Sequence, residues 1–510
     1  MVVRAWWRGE LVVALALVLA GCGGADTSAP AGDAAVPDGA AVADADALDR
    51  GDAAALDGAG ADLGPDVGPD VGPDTAGGPD TGSDTDSDMG PGSFDRCPPL
   101  GPIPSGADVV DVGPGDASAL TGIAGGLQSG QVLRFADGVY HLDGAYLWIT
   151  APGVTLRSAS GDPTAVVLDG GDVTTEVITV AASDVTVAEL TIRRAHTHAI
   201  HVVTADGADT TGTKIYRVVV EDPREQGIKV NPGTAGGYPD EGEVACSRIE
   251  LTDAGRPNVQ PNPGGCYTGG IDAHQARGWV IRDNEIRGFW CDTGLSEHAV
   301  HFWRGCRDTL VERNLLMNNA RGVGFGLSQS GDARTYDDAP CPDVAGAYVG
   351  HYGGVVRNNF IVATDPALLA SPSGFDCGVC LWSACGAQVV HNTVAATSPP
   401  FSSVEWRFAG SQGVRVTNNL VVGPLRERGD AQGVQAGNVE LTPPGELDAF
   451  VSVPDGDLHL SDAPTVARAV DQGVEVPAGV CDQDVDGEPR AGSRDVGADE
   501  RAAAAARAGT

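Results

Sequence analysis

The residue types able to do acid–base chemistry in this chain fall at one place in a recurring pattern of small, apolar, X, apolar. It reads Ala199-Ile200-His201-Val202, Gly227-Ile228-Lys229-Val230, Gly270-Ile271-Asp272-Ala273 and Ala299-Val300-His301-Phe302. Gly322-Val323-Gly324-Phe325, Gly378-Val379-Cys380-Leu381 and Ser403-Val404-Glu405-Trp406 continue it. Side chains along a strand alternate faces, so the apolar members turn inward and X turns outward. The outward file then reads His201, Lys229, Asp272, His301, Gly324, Cys380, Glu405. Two residues further on, the same face carries Asn231, His274, Trp303, Gly326, Trp382 and Arg407. Paired strands lie about 4.8 Å apart, which gathers three imidazoles, an ammonium and a carboxylate on one strip.

Such a strip suits proton abstraction next to a carboxylate, the step that opens β-elimination on a uronic-acid polysaccharide. A His or Lys titrating near neutrality serves as base, and a neighbouring charge tunes it and steadies the enolate-like intermediate. Lys229 is one of only two lysines beside 30 arginines. That choice fits a position where the proton must be able to leave, because Arg effectively never loses its own. The catalytic set is therefore Lys229, Asp272, His274, His301 and His201, with Lys229 or His274 as base and Asp272 orienting an imidazole. Arg304 or Arg407 would hold the substrate carboxylate, Trp303 and Trp382 would stack on sugar rings, and Glu405 completes the binding set. Hydrolysis fits less well, since Asp272 and Glu405 stand several repeats apart and do not make an acid/base pair. The competing reading is a non-catalytic glycan-binding or adhesion surface, for which Gly324 and Cys380 interrupt the polar file.

What positions this strip is legible in a second pattern. Asn284, Asn314, Asn359, Asn392 and Asn419 each follow an apolar residue by three: Ile281, Val311, Val356, Val389 and Val416. Each also precedes an apolar residue by two: Ile286, Leu316, Ile361, Val394 and Val421. Intervals of about 30 residues are the scale of repeat architectures. A side-chain amide both donates and accepts, so Asn residues stacked on successive layers bond along the stack. Earlier counterparts place Leu190, Val218 and Ile249 three residues after Val187, Ile215 and Cys246, so the stack changes from aliphatic to amide. The expectation is an all-β, right-handed, single-stranded parallel β-helix. A short N-terminal cap helix is expected within Gly115–Gln128, with Leu120, Ile123 and Leu127 on one face. Gly/Pro/Asp-rich insertions at 231–243, 252–269, 327–352 and 363–376 fall beside the polar file, and in solenoids insertions collect on the binding face.

The strand and turn arrangement, from Val132-Leu133-Arg134-Phe135 onward, resembles the superfamily of pectate lyases and related polysaccharide-acting β-helix enzymes. The closing Asp484-Val-Asp486-Gly487-Glu-Pro489-Arg490 … Asp499-Glu500 resembles the end segment of many exported β-helix proteins. Ile271-Asp272-Ala273-His274 resembles the Asp-x-His element of β-helical mannuronan C5-epimerases, without that family's preceding Tyr-Gly or its central Pro. The resemblance implies a lyase or an epimerase, which share the abstraction step.

The ends are read separately. Arg4 and Arg8 followed by the apolar run Leu11–Ala20 form a processing signal. It closes on Leu19-Ala20-Gly21-Cys22, which resembles the lipobox of bacterial lipoproteins. That resemblance implies cleavage before Cys22 and a lipid on its thiol, and Gly23 favours the outer membrane of the cell envelope. Residues 1–22 are thus a signal, and 23–96 an acidic Ala/Gly/Pro/Asp-rich tether that buries too little apolar surface to fold. Residues 97–500 form the β-helix, and 501–510 an Ala-rich tail. The tether carries 17 Asp against Arg50 and Arg96, a net −15; of the chain's −38, −24 remains from residue 97 onward. A charge of that sign excludes a nucleic-acid footprint. It also opposes a polyanionic substrate unless local Lys, His and Arg, or bound Ca²⁺, offset it. No residue set fixes a metal site, and nothing signals an oligomeric state. The membrane is a partner through the lipid anchor only. With Cys22 lipidated, ten cysteines remain, an even number that in an exported chain reads as disulfides of undetermined pairing.

Overall fold

Apolar residues recurring on alternate positions of short strands, separated by turn residues, wind here into a coil that stacks on itself. The computed structural model describes residues 97–501 apart from 263–264, 295, 297, 340, 342–343, 345 and 491. The signal with its lipobox Cys22, the 23–96 tether and the tail beyond 501 lie outside the described residues.

Among the described residues, three parallel sheets of 12, 11 and 10 strands run along the domain, and each complete coil gives one strand to each sheet. The third sheet comprises Leu147–Ile149, Glu176–Val180, His198–Val203, Gln226–Asn231, Gly269–His274, Val300–Trp303, Arg321–Phe325, Cys377–Trp382, Ser402–Arg407 and Leu425–Arg428. Its register stacks Ile200 on Ile228, Ile271, Val300, Val323, Val379 and Val404, all wholly buried in the solenoid core. Burying each such side chain stabilises the fold by about 1.5–3 kcal/mol. The fold is a parallel β-helix.

The corner between the first and second sheets explains the Asn pattern. At each turn one residue adopts the left-handed conformation: Glu189, Arg217, Cys246, Asp283, Arg313, Asn358, His391 and Asn418. The next residue points inward, and from Asn284 onward it is Asn. Nδ2 of Asn284, Asn314, Asn359, Asn392 and Asn419 donates to Oδ1 of the following layer's Asn at 2.9–3.0 Å. The last acceptor is Asn438, a sixth rung 19 residues beyond Asn419 that the sequence pattern does not include. Each amide also closes a carbonyl of the preceding coil, as Asn359 does for Val311 at 3.0 Å. Buried backbone acceptors that a turn would orphan are thereby satisfied.

One register expectation is corrected. Val244, not Cys246, pairs with Ile281, so Ser247, not Ile249, occupies the ladder position; Ile249 pairs instead with Ile286 in the second sheet. Ser247 is the transition rung: its Oγ accepts from Val218 N at 3.2 Å, and its N donates to Asn284 Oδ1 at 2.9 Å. The even cysteine count also misleads. Cys97–Cys246, Cys266–Cys291, Cys341–Cys385 and Cys377–Cys380 are bonded, whereas Cys306 and Cys481 are buried thiols.

The cap follows the first strand, Val109–Val112, as a 3₁₀ turn (Pro114–Ala119) running into a helix, Leu120–Gly125, that buries Leu120 and Ala124. At the other end, the closing segment packs Val485, Val496 and Ala498 on Phe360, Val362 and Leu420, outward residues of the second sheet. The buried Arg490–Glu500 pair, 2.8 Å apart, holds it closed. Insertions 252–269 and 363–376 precede third-sheet strands and 231–243 and 327–352 follow them, so long loops leave both edges of that sheet.

Candidate functional site

The third sheet carries the expected outward file in register: His201 beside Lys229, then Asp272, His301, Gly324, Cys380 and Glu405. The small residue of the motif is dictated by the stack. A Cβ at Gly270 would lie 2.6 Å from Ile286 Cγ2 and press on the carbonyl of Ala299.

At the centre of the file, Asp272 is clamped from both sides. Its Oδ2 takes Lys229 Nζ at 2.7 Å and lies 3.3 Å from His274 Nε2. Its Oδ1 takes Trp303 Nε1 at 2.9 Å and lies 3.4 Å from His301 Nδ1. Lys229 Nζ is also 3.4 Å from His274 Nε2 and 3.4 Å from the Tyr267 hydroxyl. Burial opposes ionisation of Asp272, but the Lys229 ammonium first, then His274 and His301, outweigh it and hold the carboxyl well below the usual range. A carboxylate so paired is ionised, and its two oxygens have little acceptor capacity left. The rings are fixed by contact: His301 stacks on Trp303 (5.3 Å, 5°), and His274 meets the same indole edge-on at 4.7 Å. Lys229 and His301 are wholly buried, whereas His274 keeps 5 % of its surface exposed.

The structure brings together Lys229, Asp272, His274, His301 and Trp303. It places His201 differently: the ring lies between Glu176 Oε1 and Asn231 Oδ1, each 2.7 Å away. Trp382 and Glu405 form their own pair at 2.8 Å, joined by Arg428 at 3.1 Å. Both indoles are buried and donate their N–H to carboxylates, Trp303 to Asp272 and Trp382 to Glu405. Arg304 lies over Trp303 at 4.8 Å and Arg407 over Phe408 at 4.3 Å, both half-buried at the rim. Cys380 is not a polar member of the file; its bond to Cys377 packs with Trp303, Leu327 and Trp382.

A second outward file runs three residues before the first: Glu176, His198, Gln226, Gly269, His298, Arg321, Cys377 and Ser402. Members of the two files touch. His198 lies 5.5 Å from His201, His298 lies 4.4 Å from His301, and Ser402 Oγ lies 3.3 Å from Glu405. Strict alternation hides this file, because residues three apart should face opposite ways. The repeated spacing itself (His198/His201, His298/His301, Cys377/Cys380, Ser402/Glu405) is the signal that finds it. Gly324 now has a reason: a Cβ there would sit 2.6 Å from His298 Nε2, so the gap in the first file houses a ring of the second. Tyr267, from the 252–269 insertion that the Cys266–Cys291 bond anchors, is the other participant the file omits.

No family model matches the chain, and no curated protein matches it. Solved structures do. Pectate lyase Pel9A is 15 % identical with a TM-score of 0.47, the match covering 78 % of this chain and 98 % of that one. An alginate lyase from Paenibacillus sp. str. FPU-7 is 14 % identical, TM-score 0.39, covering 66 % and 99 %. The A-module of Azotobacter vinelandii mannuronan C-5 epimerase AlgE4 is 14 % identical, TM-score 0.36, covering 66 % and 93 %. Likeness at this level concerns the fold alone; what the site does must come from its own geometry.

Proposed function

We propose that this chain is a carbohydrate-active β-helix protein that abstracts the proton α to a uronate carboxylate in an acidic polysaccharide, as a lyase or a C5-epimerase. The observation that carries the reading is the meeting of Lys229 Nζ, Asp272 Oδ2 and His274 Nε2 within 3.4 Å of one another. An imidazole nitrogen able to take a proton and an ammonium able to meet the resulting negative charge lie at one point, oriented by a carboxylate that stays ionised. His274 is the base, because of the three it keeps the most exposed surface, 5 %. The C–H bond breaks toward the His274 imidazole, and its electron pair passes into the carboxylate as an enolate that the Lys229 charge stabilises. Elimination then expels the glycosidic oxygen at the neighbouring carbon; epimerisation returns a proton to the opposite face. Arg304 and Arg407 at the rim supply cations for substrate carboxylates.

Incubating the purified chain with a panel of uronate polysaccharides, with and without Ca²⁺, tests this. Ultraviolet absorbance from an unsaturated sugar, or C5 proton exchange, that appears with wild type and vanishes in His274→Gln supports it. One observation favours a second reading, a glycan-binding or adhesion module: Lys229 and Asp272 are sealed, as in a network that only stiffens the sheet. Retention on immobilised uronate without either chemical change would select that reading. The lipid anchor at Cys22 would hold the domain at the cell envelope on its acidic tether. Incorporation of labelled palmitate by wild type and not by Cys22→Ala checks it.

A further inference from the structure

We propose a divalent transition-metal site made by Glu176, His198 and His201, distinct from the Lys229–Asp272–His274 cluster and resting on no assumption about the reaction. The three side chains offer ligand atoms that all lie within 4.8 Å of one another. His201 Nδ1 is 2.7 Å from Glu176 Oε1, and His198 Nδ1 is 3.4 Å from the same oxygen.

The hydrogen bonds around the rings say what sits between them. Asn231 donates its Nδ2 to the carbonyl of Pro232 at 2.9 Å, which fixes its Oδ1 toward His201 Nε2 at 2.7 Å. An amide oxygen only accepts, so His201 carries a proton on Nε2; the neutral ring then turns its Nδ1 lone pair toward Glu176, whereas the imidazolium donates to it. His198 Nε2 likewise faces acceptors, Gln226 Oε1 at 3.0 Å and Glu225 Oε2 at 3.5 Å. In the neutral ring its Nδ1 lone pair then also points at Glu176. Two nitrogen lone pairs converging on one carboxylate repel unless positive charge lies among them, supplied by ring protons or by a bound metal ion. Distal N–H groups held by oxygen acceptors are the arrangement that fixes and strengthens metal-ligating histidines.

Two imidazoles and a carboxylate select a borderline ion such as Zn²⁺ or Co²⁺, not Ca²⁺, which takes six to eight oxygens. The Glu176 side chain is 27 % exposed, so the remaining coordination positions open to water. His201 stands in register with Lys229 of the next coil, so the ion would sit one coil from the Lys229 cluster and add positive charge to the same strip.

The test strips the full chain with a chelator and titrates it with Co²⁺ and Zn²⁺, following calorimetry and the visible d–d absorption of Co²⁺. One equivalent is expected to bind, with absorption typical of a nitrogen–oxygen site. His198→Ala and Glu176→Gln should each weaken binding by at least about 100-fold, and Asn231→Ala, which leaves every ligand in place, by about 10–100-fold. His459→Ala, at a separate His–Asp cluster, should change nothing. Circular dichroism of each variant separates lost ligation from lost fold. No stoichiometric binding by wild type would overturn the proposal, a shared proton then bridging the groups. Binding that survives both ligand variants, or is lost in His459→Ala, would overturn it equally.

Discussion

Lys229 Nζ and Asp272 Oδ2 sit 2.7 Å apart on adjacent coils with side chains only 1 % and 3 % exposed, a buried ion pair inside the polar file of the third sheet. Its energetics are set by what is left when one partner goes. Removing one member of a buried pair strands the other charge in low dielectric and costs about 3–5 kcal/mol. Asp272→Asn and Lys229→Met are each expected to lower unfolding stability by about that amount in urea titrations. The double variant should lose clearly less than the two single losses added together. Additive losses would show that the two residues do not act as a pair.

Gly324 tests the second file. A methyl group there would lie 2.6 Å from His298 Nε2, so His298 must move and take its contact with His301 along. Gly324→Ala is expected to leave the solenoid folded, with far-ultraviolet circular dichroism unchanged, and to reduce any activity on uronate polysaccharide by about 10-fold or more, on the principle that small misplacements at a site are costly. Gly322→Ala serves as contrast. There the Cβ meets the carbonyl of Gly378 in the core stack, so the loss should appear in stability.

How much of this was legible follows from what period-2 reasoning sees. The inward column Ile200, Ile228, Ile271, Val300, Val323, Val379 and Val404 could be read because every inward position at that point of the third sheet is apolar. The outward file followed from it with the right register. The i, i+3 file with Glu176, His198 and His298 was not legible by alternation, because two consecutive residues between the files, Ala199 with Ile200 and Ala299 with Val300, both face the core. The ladder is legible through five Asn rungs and at Leu190 and Val218, but the rung just before Asn284 falls at Ser247, two residues before Ile249. Cys246 falls on the left-handed corner, and Ser247 satisfies the rung without looking like either Leu or Asn. The loop contact of Tyr267 with Lys229, 38 residues apart, depends on how an insertion folds back, which no local pattern encodes.

The amide ladder makes a prediction about polarity in the core. Asn359 Oδ1 accepts from both Asn314 Nδ2 and Asn314 N, at 2.9 and 3.0 Å, while its own Nδ2 serves Asn392 and Val311 O. Asn359→Leu would leave several buried polar groups unmet, at about 1–3 kcal/mol each. Despite adding apolar bulk, it should lower the urea midpoint strongly. At the aliphatic end the same exchange reverses. Val218→Asn places an unmatched amide between Leu190 and Ser247 and is expected to destabilise as well. A Leu tolerated at 359 would mean the ladder is incidental to stability.

Three histidines set opposite arms of the stability–pH curve. His351 is stacked on Phe325 at 4.0 Å and pushed down to about 3 by burial. His391, bonded to the carbonyl of Gly497, is pushed down to about 2 by burial. The unfolded chain titrates these rings near 6.5, so below that pH it binds protons the folded chain refuses. Stability should then fall with acid, by about 1.4 kcal/mol per pH unit for each ring, from pH ~6.5 down toward the folded values. His459 acts the other way. Asp486 at 2.9 Å, then Asp457 at 2.6 Å, raise it to about 9. Its contribution is fully present below ~6.5 and is lost as pH rises through about 9, and because the ring is about one-third exposed the amplitude is small. Melting temperatures measured from pH 4 to 10 should show both arms. His459→Gln should flatten the alkaline arm alone, and His351→Gln should shrink the acid arm alone, leaving the share of His391. An alkaline arm unchanged in His459→Gln would show that its two aspartates do not hold the ring charged.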